Sequence, residues 1–278
     1  MLDAHAFKQN EQLAWDLCAE TYDECLTQSF ATFARHLVDL AGLRTEDRVL
    51  DVATGTGLVA FMAAKLLGPR AQVVGVDLSD TMIGLTRKRA AEQGAGNVDF
   101  VRMDAERLEF PDESFDAVLC ALGLMLFPQP DVALSEMLRV LKAGGTVALS
   151  VFGRGSKVAL RAFMEPFIPH MPPPPQRGPS TFGFGPSEAL REALEQAGFS
   201  DVTVEERAHV LEFETSEEVS NIPLSLGRLA QMQSRLPAEA TQELRRQVLH
   251  IATEKYLSPR GVFELPFGIT YAVAHKPS

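Results

Sequence analysis

With 278 residues, 46% of them hydrophobic and 23% charged, the chain has an ordinary globular composition and can bury a core as one large α/β domain or two small ones. Its 26 basic and 37 acidic residues give a formal charge of −11 without any basic block, which argues against duplex nucleic acid or an anionic membrane as main partner. Three irregularly spaced cysteines, Cys18, Cys25 and Cys120, fit reduced thiols rather than a disulfide framework.

The first residues, Met1-Leu2-Asp3-Ala4-His5, hold no basic segment leading into an apolar one, and no apolar run reaches the length of a membrane span. The expectation is a cytoplasmic protein. Residues 6–42 read as one or two helices, with Phe7, Trp15, Leu17, Tyr22, Leu26, Phe30, Phe33 and Leu37 at roughly helical spacing and Gly42 as a stop. Two readings stand for this aromatic stripe: packing on the domain, or a lid whose rings line a pocket.

From Arg48 the chain alternates strand and helix. Strand 48–52 runs into Ala53-Thr54-Gly55-Thr56-Gly57 and a helix that ends at Gly68-Pro69. Glycines two apart let the backbone come close to a ligand, and the helix start points unpaired N–H groups at it. Strand 72–76 ends in Asp77, and Ser79 or Asp80 caps a helix to about Gln93. Strand 98–102 ends at Met103-Asp104, strand 115–119 at Cys120, and a helix over 131–142 precedes strand 146–152. Apolar strands alternating with helices predict a parallel, doubly wound sheet, whose ligands bind beyond the carboxyl ends of the strands. Asp51, Asp77, Asp104 and Cys120 all fall at such ends.

The second half is less regular. A helix is expected near 156–168, then a stiff extended connector over Pro169–Pro175, a turn at 182–185 and a helix over 186–197. A strand over 202–213 and another over about 262–275 read as an antiparallel pair. Between them lie two helices, roughly 216–235 and 237–257, an insertion of a length that usually serves a binding site or lid.

Four segments in order resemble the class I S-adenosylmethionine-dependent methyltransferases: Val49–Gly57, Val74–Met82, Asp104–Asp116 and Leu138–Gly145. Cys120–Phe127 and Ala19–Asp23 are similar to the ubiquinone/menaquinone C-methyltransferase-like (methyltransferase type 11) branch. The resemblance departs at Ala53, where the family carries its first glycine, and at Met125-Leu126, where quinone enzymes commonly have Arg-Asn. It implies an α/β, Rossmann-like seven-stranded sheet with an antiparallel last strand, an N-terminal helical lid (1–42), a cofactor-binding core (43–155) and a C-terminal part (156–278) with pocket helices at about 215–257, all in one domain.

The cofactor implied is S-adenosylmethionine, with S-adenosylhomocysteine as product and no metal. By the same resemblance Asp77 takes both ribose hydroxyls, a task for an ionised carboxylate. Asp104 takes the adenine amino group and the Ala105 N–H a ring nitrogen. Leu78, Met82 and Leu122 sandwich the adenine. Gly55 and Gly57 admit the methionine and ribose portion, Asp51 holds the ammonium end directly or through water, and Tyr22 closes over the carboxylate. Ala53, Thr54, Glu106 and Cys120 complete the set. Beside these roles stand plainer ones: Asp77 and Asp104 as caps or turn formers, Asp51 as a structural hydrogen bonder, Cys120 as a small strand-end residue.

A sulfonium methyl is already activated, so positioning alone supplies about 7–11 kcal/mol and a base is required only if the nucleophile keeps its proton. His36, His170, His209 and His250 read as surface or loop residues, and no catalytic base is nominated. The implied partner is a small, fairly apolar acceptor, aromatic or polyketide-like, of the kind met in secondary metabolism. Oligomeric state, a homodimer included, stays open. Two other classes are kept. Gly55-x-Gly57-x-x-Ala60 with Asp77 also fits a nicotinamide-dependent oxidoreductase, although no Tyr-x-x-x-Lys pair accompanies it. A non-catalytic binding protein could keep the same fold.

Overall fold

A computed structural model describes residues 4–171 and 180–278. The sheet is seven-stranded, in the order β3-β2-β1-β4-β5-β7-β6. Strands β1 (Arg48–Val52), β2 (Gln72–Asp77), β3 (Val98–Arg102), β4 (Phe115–Ala121) and β5 (Leu141–Phe152) pair in parallel. β7 (Phe263–His275) runs antiparallel to both β5 and β6 (Ser200–Phe213). The expected seven-stranded sheet with its antiparallel last strand is what forms. Strand order reverses between β1 and β4, and a crevice opens at their carboxyl ends, the topological switch point of such sheets.

The residues that build the centre explain its position. Val49, Leu50, Val118, Leu119, Val147 and Leu149 are fully buried because helices cover both faces of β1, β4 and β5. β6 lies at the edge and exposes most of its middle, where Glu205, Glu206 and Arg207 follow one another. Charge of this kind blunts an edge that would otherwise pair with another chain.

At the N-terminus, α1 (Ala4–Tyr22) passes through a π turn (Asp23–Thr27) into α2 (Ala31–Leu40). The aromatic stripe divides between packing on the domain and lining a cavity. Leu26, Phe33 and Leu37 are core, Trp15, Tyr22 and Phe30 line a cavity, and Leu17 is exposed. The sheet is wrapped by α3 (Leu58–Leu67), α4 (Asp80–Gln93) and α5 (Pro130–Val140). α5 stops two residues earlier than expected, since Leu141 leaves the helix to pair with Phe115 and so opens β5.

The helix expected at 156–168 is three pieces: a 3-10 turn (Gly155–Lys157), α6 (Ala159–Met164) and a second 3-10 turn (Glu165–His170). Pro166 and Pro169 lack the N–H that an α-helix needs. Pro169 and His170 therefore end this turn instead of starting an extended connector, whose remaining prolines, 172–175, lie outside the described residues. α7 (Ser187–Gln196) follows. The first insertion helix is also broken, into α8 (Ser216–Asn221), a 3-10 turn (Ile222–Ser225) containing Pro223, and α9 (Gly227–Gln233), before α10 (Ala238–Tyr256). A ladder from Phe213↔Phe263 inward closes the base of this insertion.

Candidate active site

The turn after β1 is built on left-handed backbone: Ala53 at φ 55°, Gly55 at 53° and Gly57 at 80°. Thr54 N–H donates to Val76 O (2.9 Å) and Gly57 N–H to Thr54 O (2.9 Å), which fixes the turn against β2. Gly123, two residues past the end of β4, leaves room for the methyl of Ala53 at this left-handed position. A Cβ on Gly123 would fall 2.7 Å from that of Ala53.

The three strand-end acids have different fates. Asp77 is held between two loops, its Oδ2 accepting from Gly55 N–H (2.8 Å) and Oδ1 from Ser79 N–H (2.9 Å). Burial raises its pKa, and those N–H donors oppose the rise. Asp104 accepts from Glu106 N–H through Oδ1 (2.9 Å) and from Lys8 Nζ through Oδ2 (2.7 Å). Asp51, only 1% exposed, spends Oδ2 on the Thr54 hydroxyl (2.6 Å) and the Ala60 N–H (3.0 Å), and burial lifts its pKa to about 7. It does not line the cavity, and both bonds it makes through Oδ2 hold the turn itself.

One cavity gathers most of the expected residues: Tyr22, Ala53, Gly55, Asp77, Leu78, Met82, Asp104, Ala105 and Leu122. Besides Asp51, four do not line it. Thr54 and Gly57 support the turn from behind. Glu106 accepts from the backbone and side chain of Gln129 (2.7 and 3.0 Å) and pairs with Lys8. Cys120 is fully buried, and burial pushes its thiol to about 12, an inert state.

α1 forms one wall, with polar residues a turn apart facing the strand ends. Lys8 reaches Asp104 and Glu106, Gln12 donates to Asp80 (3.0 Å) and accepts from Arg102 (3.0 Å), and Asp16 accepts from Ser79 Oγ (2.5 Å) and Thr81 N–H (3.0 Å). The adjoining face carries Glu11, Trp15 and Tyr22 into the cavity. Tyr22 packs edge-on against Trp15 and Phe30, with centroids 5.8 and 6.2 Å apart.

Beyond these rings the walls are apolar: Phe127, Phe152, Leu160, Met164, Leu226 and Leu229. Among the polar residues there without a forerunner in the motifs are Glu11 and Arg228, which pair across 217 positions. At the level of sequence each is one charge among many on a helix; only the meeting of α1 with α9 marks them. The four candidate histidines lie elsewhere than on the cavity wall. His36 pairs with Glu205 and His209 bonds Tyr271 OH (3.0 Å). Among the described residues no three His, Cys, Asp or Glu side chains cluster as a metal site requires, and no helix is long and apolar enough to cross a membrane.

The cavity suits an adenosyl sulfonium on the chain's own terms. Asp77 offers acceptors, Leu78, Met82 and Leu122 are apolar, and a Cβ on Gly55 would meet nothing within 4 Å, so the turn leaves open space.

Comparison with known proteins agrees. Residues 49–145 match the family described as "Methyltransferase domain". The ubiquinone/menaquinone biosynthesis C-methyltransferase UbiE of Pseudomonas putida is 45% identical over 121 residues, 43% of this chain and 47% of that protein. The chain thus spans about half the length of the curated relatives it matches. In fold it is similar to YcgJ of Bacillus subtilis (TM-score 0.58, 21% identity, 88% of this chain and 98% of that one). It is also similar to phosphoethanolamine N-methyltransferase 2 of Haemonchus contortus in complex with S-adenosyl-L-methionine (TM-score 0.57, 23% identity, 89% and 53%).

Proposed function

We propose that this chain, whose residues 49–145 form a class I S-adenosylmethionine-dependent methyltransferase domain, moves a methyl group to a small, fairly apolar metabolite held under α1. One observation carries the reading: Asp77 and Asp104 open onto the same cavity as a chamber walled by Trp15, Phe30, Phe127 and Phe152. The cofactor supplies an activated methyl on a neutral leaving group. The chain's own task is to hold and align. Asp77, oriented by Gly55 and Ser79 N–H groups, takes the ribose hydroxyls, and Asp104 the adenine amino group, sharing or exchanging Lys8. Tyr22 and the turn at Gly55 enclose the methionine end. The apolar chamber then sets the acceptor in line, where positioning is worth about 7–11 kcal/mol.

The match ends at residue 145, whereas α6, α9 and part of the aromatic wall come from outside it, so the acceptor is set by parts the matched relatives need not share. A quinone precursor, suggested by the relatives' name, fits the aromatic chamber. Met125, in place of the Arg that quinone enzymes commonly carry, makes a less polar acceptor fit better. We read the lid, core and insertion as one catalytic unit, because β6 and β7 extend the sheet that carries the cofactor acids.

Isothermal titration with S-adenosylhomocysteine tests the reading. Binding to the native chain is expected, with a loss of about 10²–10³ in affinity for Asp77→Asn, the worth of one or two charge-assisted hydrogen bonds. No binding by the native chain, together with a rise in melting temperature on adding NADP, would replace it with the oxidoreductase reading.

A further inference from the structure

Among the described residues three carboxylates line the cavity, and two are absorbed by the cofactor reading. The third, Glu11, has no task there. It is only 6% exposed, on a wall that is otherwise mostly apolar, and accepts a hydrogen bond from Arg228 Nε. Arg228 comes from the start of α9, where Gly227 packs so tightly on Trp15 that a Cβ would lie 3.0 Å from its ring. The guanidinium also lies over the Phe7 ring, 4.7 Å from its centroid. That stacking and the bond to Glu11 fix its plane, while its two Nη groups make no hydrogen bond with the described residues. A carboxylate thus stands beside a guanidinium with donors to spare, both on the cavity wall.

Resting on the methyltransferase reading, we propose that Glu11 and Arg228 are the catalytic polar end of the acceptor pocket, and that the acceptor is a phenol or enol. Glu11 takes the hydroxyl proton, and the Nη groups of Arg228 face the oxyanion that results. That oxyanion attacks the methyl carbon through oxygen, or through the carbon conjugated to it. The carbon–sulfur bond breaks, its electron pair stays on sulfur as S-adenosylhomocysteine, and Glu11 returns its proton to solvent as product leaves. Attack through carbon gives the keto form, which tautomerises back without net loss of a proton. Burial raises the Glu11 pKa against the opposing pull of Arg228, which makes it a better base than an exposed glutamate. Arg228 lines the cavity with its side chain 35% exposed and its Nη groups unbonded among the described residues, more donors than a clasp of α1 to α9 uses.

The test uses 4-nitrophenol, which absorbs visibly only as the phenolate, added to protein saturated with S-adenosylhomocysteine at a pH below the free phenol's pKa. The native chain is expected to bind it with the phenolate band developed. Glu11→Gln and Arg228→Met are each expected to weaken probe binding about 10- to 100-fold and to lose the band, with S-adenosylhomocysteine affinity within about threefold of native. Glu11→Asp should recover part of the band. A structural clasp would instead lower the melting temperature and leave the bound band unchanged, which would overturn the proposal. So would a native chain that binds S-adenosylhomocysteine but takes up no phenol. Failure of S-adenosylhomocysteine to bind the native chain would overturn the methyltransferase reading itself, a separate result.

Discussion

Alanine at Gly55 and at Gly57 should do different damage, although the two lie two residues apart in one turn. Both have left-handed backbone, at φ 53° and 80°, where a Cβ costs about 1–2 kcal/mol. At Gly55 that is the whole stability cost, because a Cβ there meets nothing within 4 Å. At Gly57 the new methyl would stand 2.8 Å from Phe61, 3.0 Å from Thr86 and 3.1 Å from Phe100, and forcing that packing adds about 1–3 kcal/mol. Gly57→Ala should therefore lose about 2–5 kcal/mol and Gly55→Ala about 1–2. Thermal melts followed by circular dichroism should show drops of roughly 4–10 °C and 2–4 °C, on about 2 °C per kcal/mol for a chain of this size. Ligand binding should rank the other way for Gly55, which lines the cavity. Its methyl takes space the cofactor needs, and S-adenosylhomocysteine affinity should fall on the order of 10- to 100-fold, the equivalent of about 1–3 kcal/mol of crowding. Equal melting losses for the two variants, or native affinity in Gly55→Ala, would refute the assignment of one glycine to packing and the other to ligand space.

Asp51 sets a pH dependence of stability. Burial raises its folded pKa to about 7, so between its unfolded value, about 4, and that point the folded state holds a proton that the unfolded state has lost. Its contribution is full below the unfolded pKa and is lost as pH rises through 7. Urea unfolding from pH 5 to 8 should show native stability falling relative to Asp51→Asn, and parallel curves would refute the shift. Arg139 ties the loop before β4 to α5, donating to the carbonyls of Leu108 and Phe110 (2.7 and 2.8 Å) and to Glu136 and Asp112. Arg139→Ala should cost about 1–3 kcal/mol, chiefly from leaving the Leu108 and Phe110 carbonyls and Glu136 without their donor in a part-exposed network. A change below about 1 kcal/mol in denaturant unfolding, the range of exposed ion pairs, would show that solvent replaces it.

The strand-end acids and the glycine turn were legible because they depend on local pattern: an apolar run, an acid, then residues that tolerate left-handed backbone. The parallel part of the sheet followed from alternation, while its seven strands and antiparallel last strand were what the family resemblance implied. Two predicted helices were misread where proline stood inside an otherwise periodic run, Pro166 and Pro223, each at or next to the first position of a 3-10 turn. Periodicity counted the apolar residues and overlooked the missing N–H. Position at a strand end likewise does not say which way a carboxylate bonds: Asp51 turns Oδ2 to Thr54 and Ala60. Glu11 and Arg228 were beyond local pattern altogether, because their meaning lies in a contact between α1 and α9, 217 positions apart.

Ala53 and Gly123 share the space of one methyl where the loops after β1 and β4 meet, and both border the cavity. Whichever loop carries that carbon, the other must go without. Restoring glycine at 53 alone would deepen the pocket's floor by a single carbon, while adding alanine at 123 alone would wedge the loops apart. The contour beneath a bound ligand is therefore inherited by two positions jointly, seventy residues apart, and can be reshaped cleanly only by changing both.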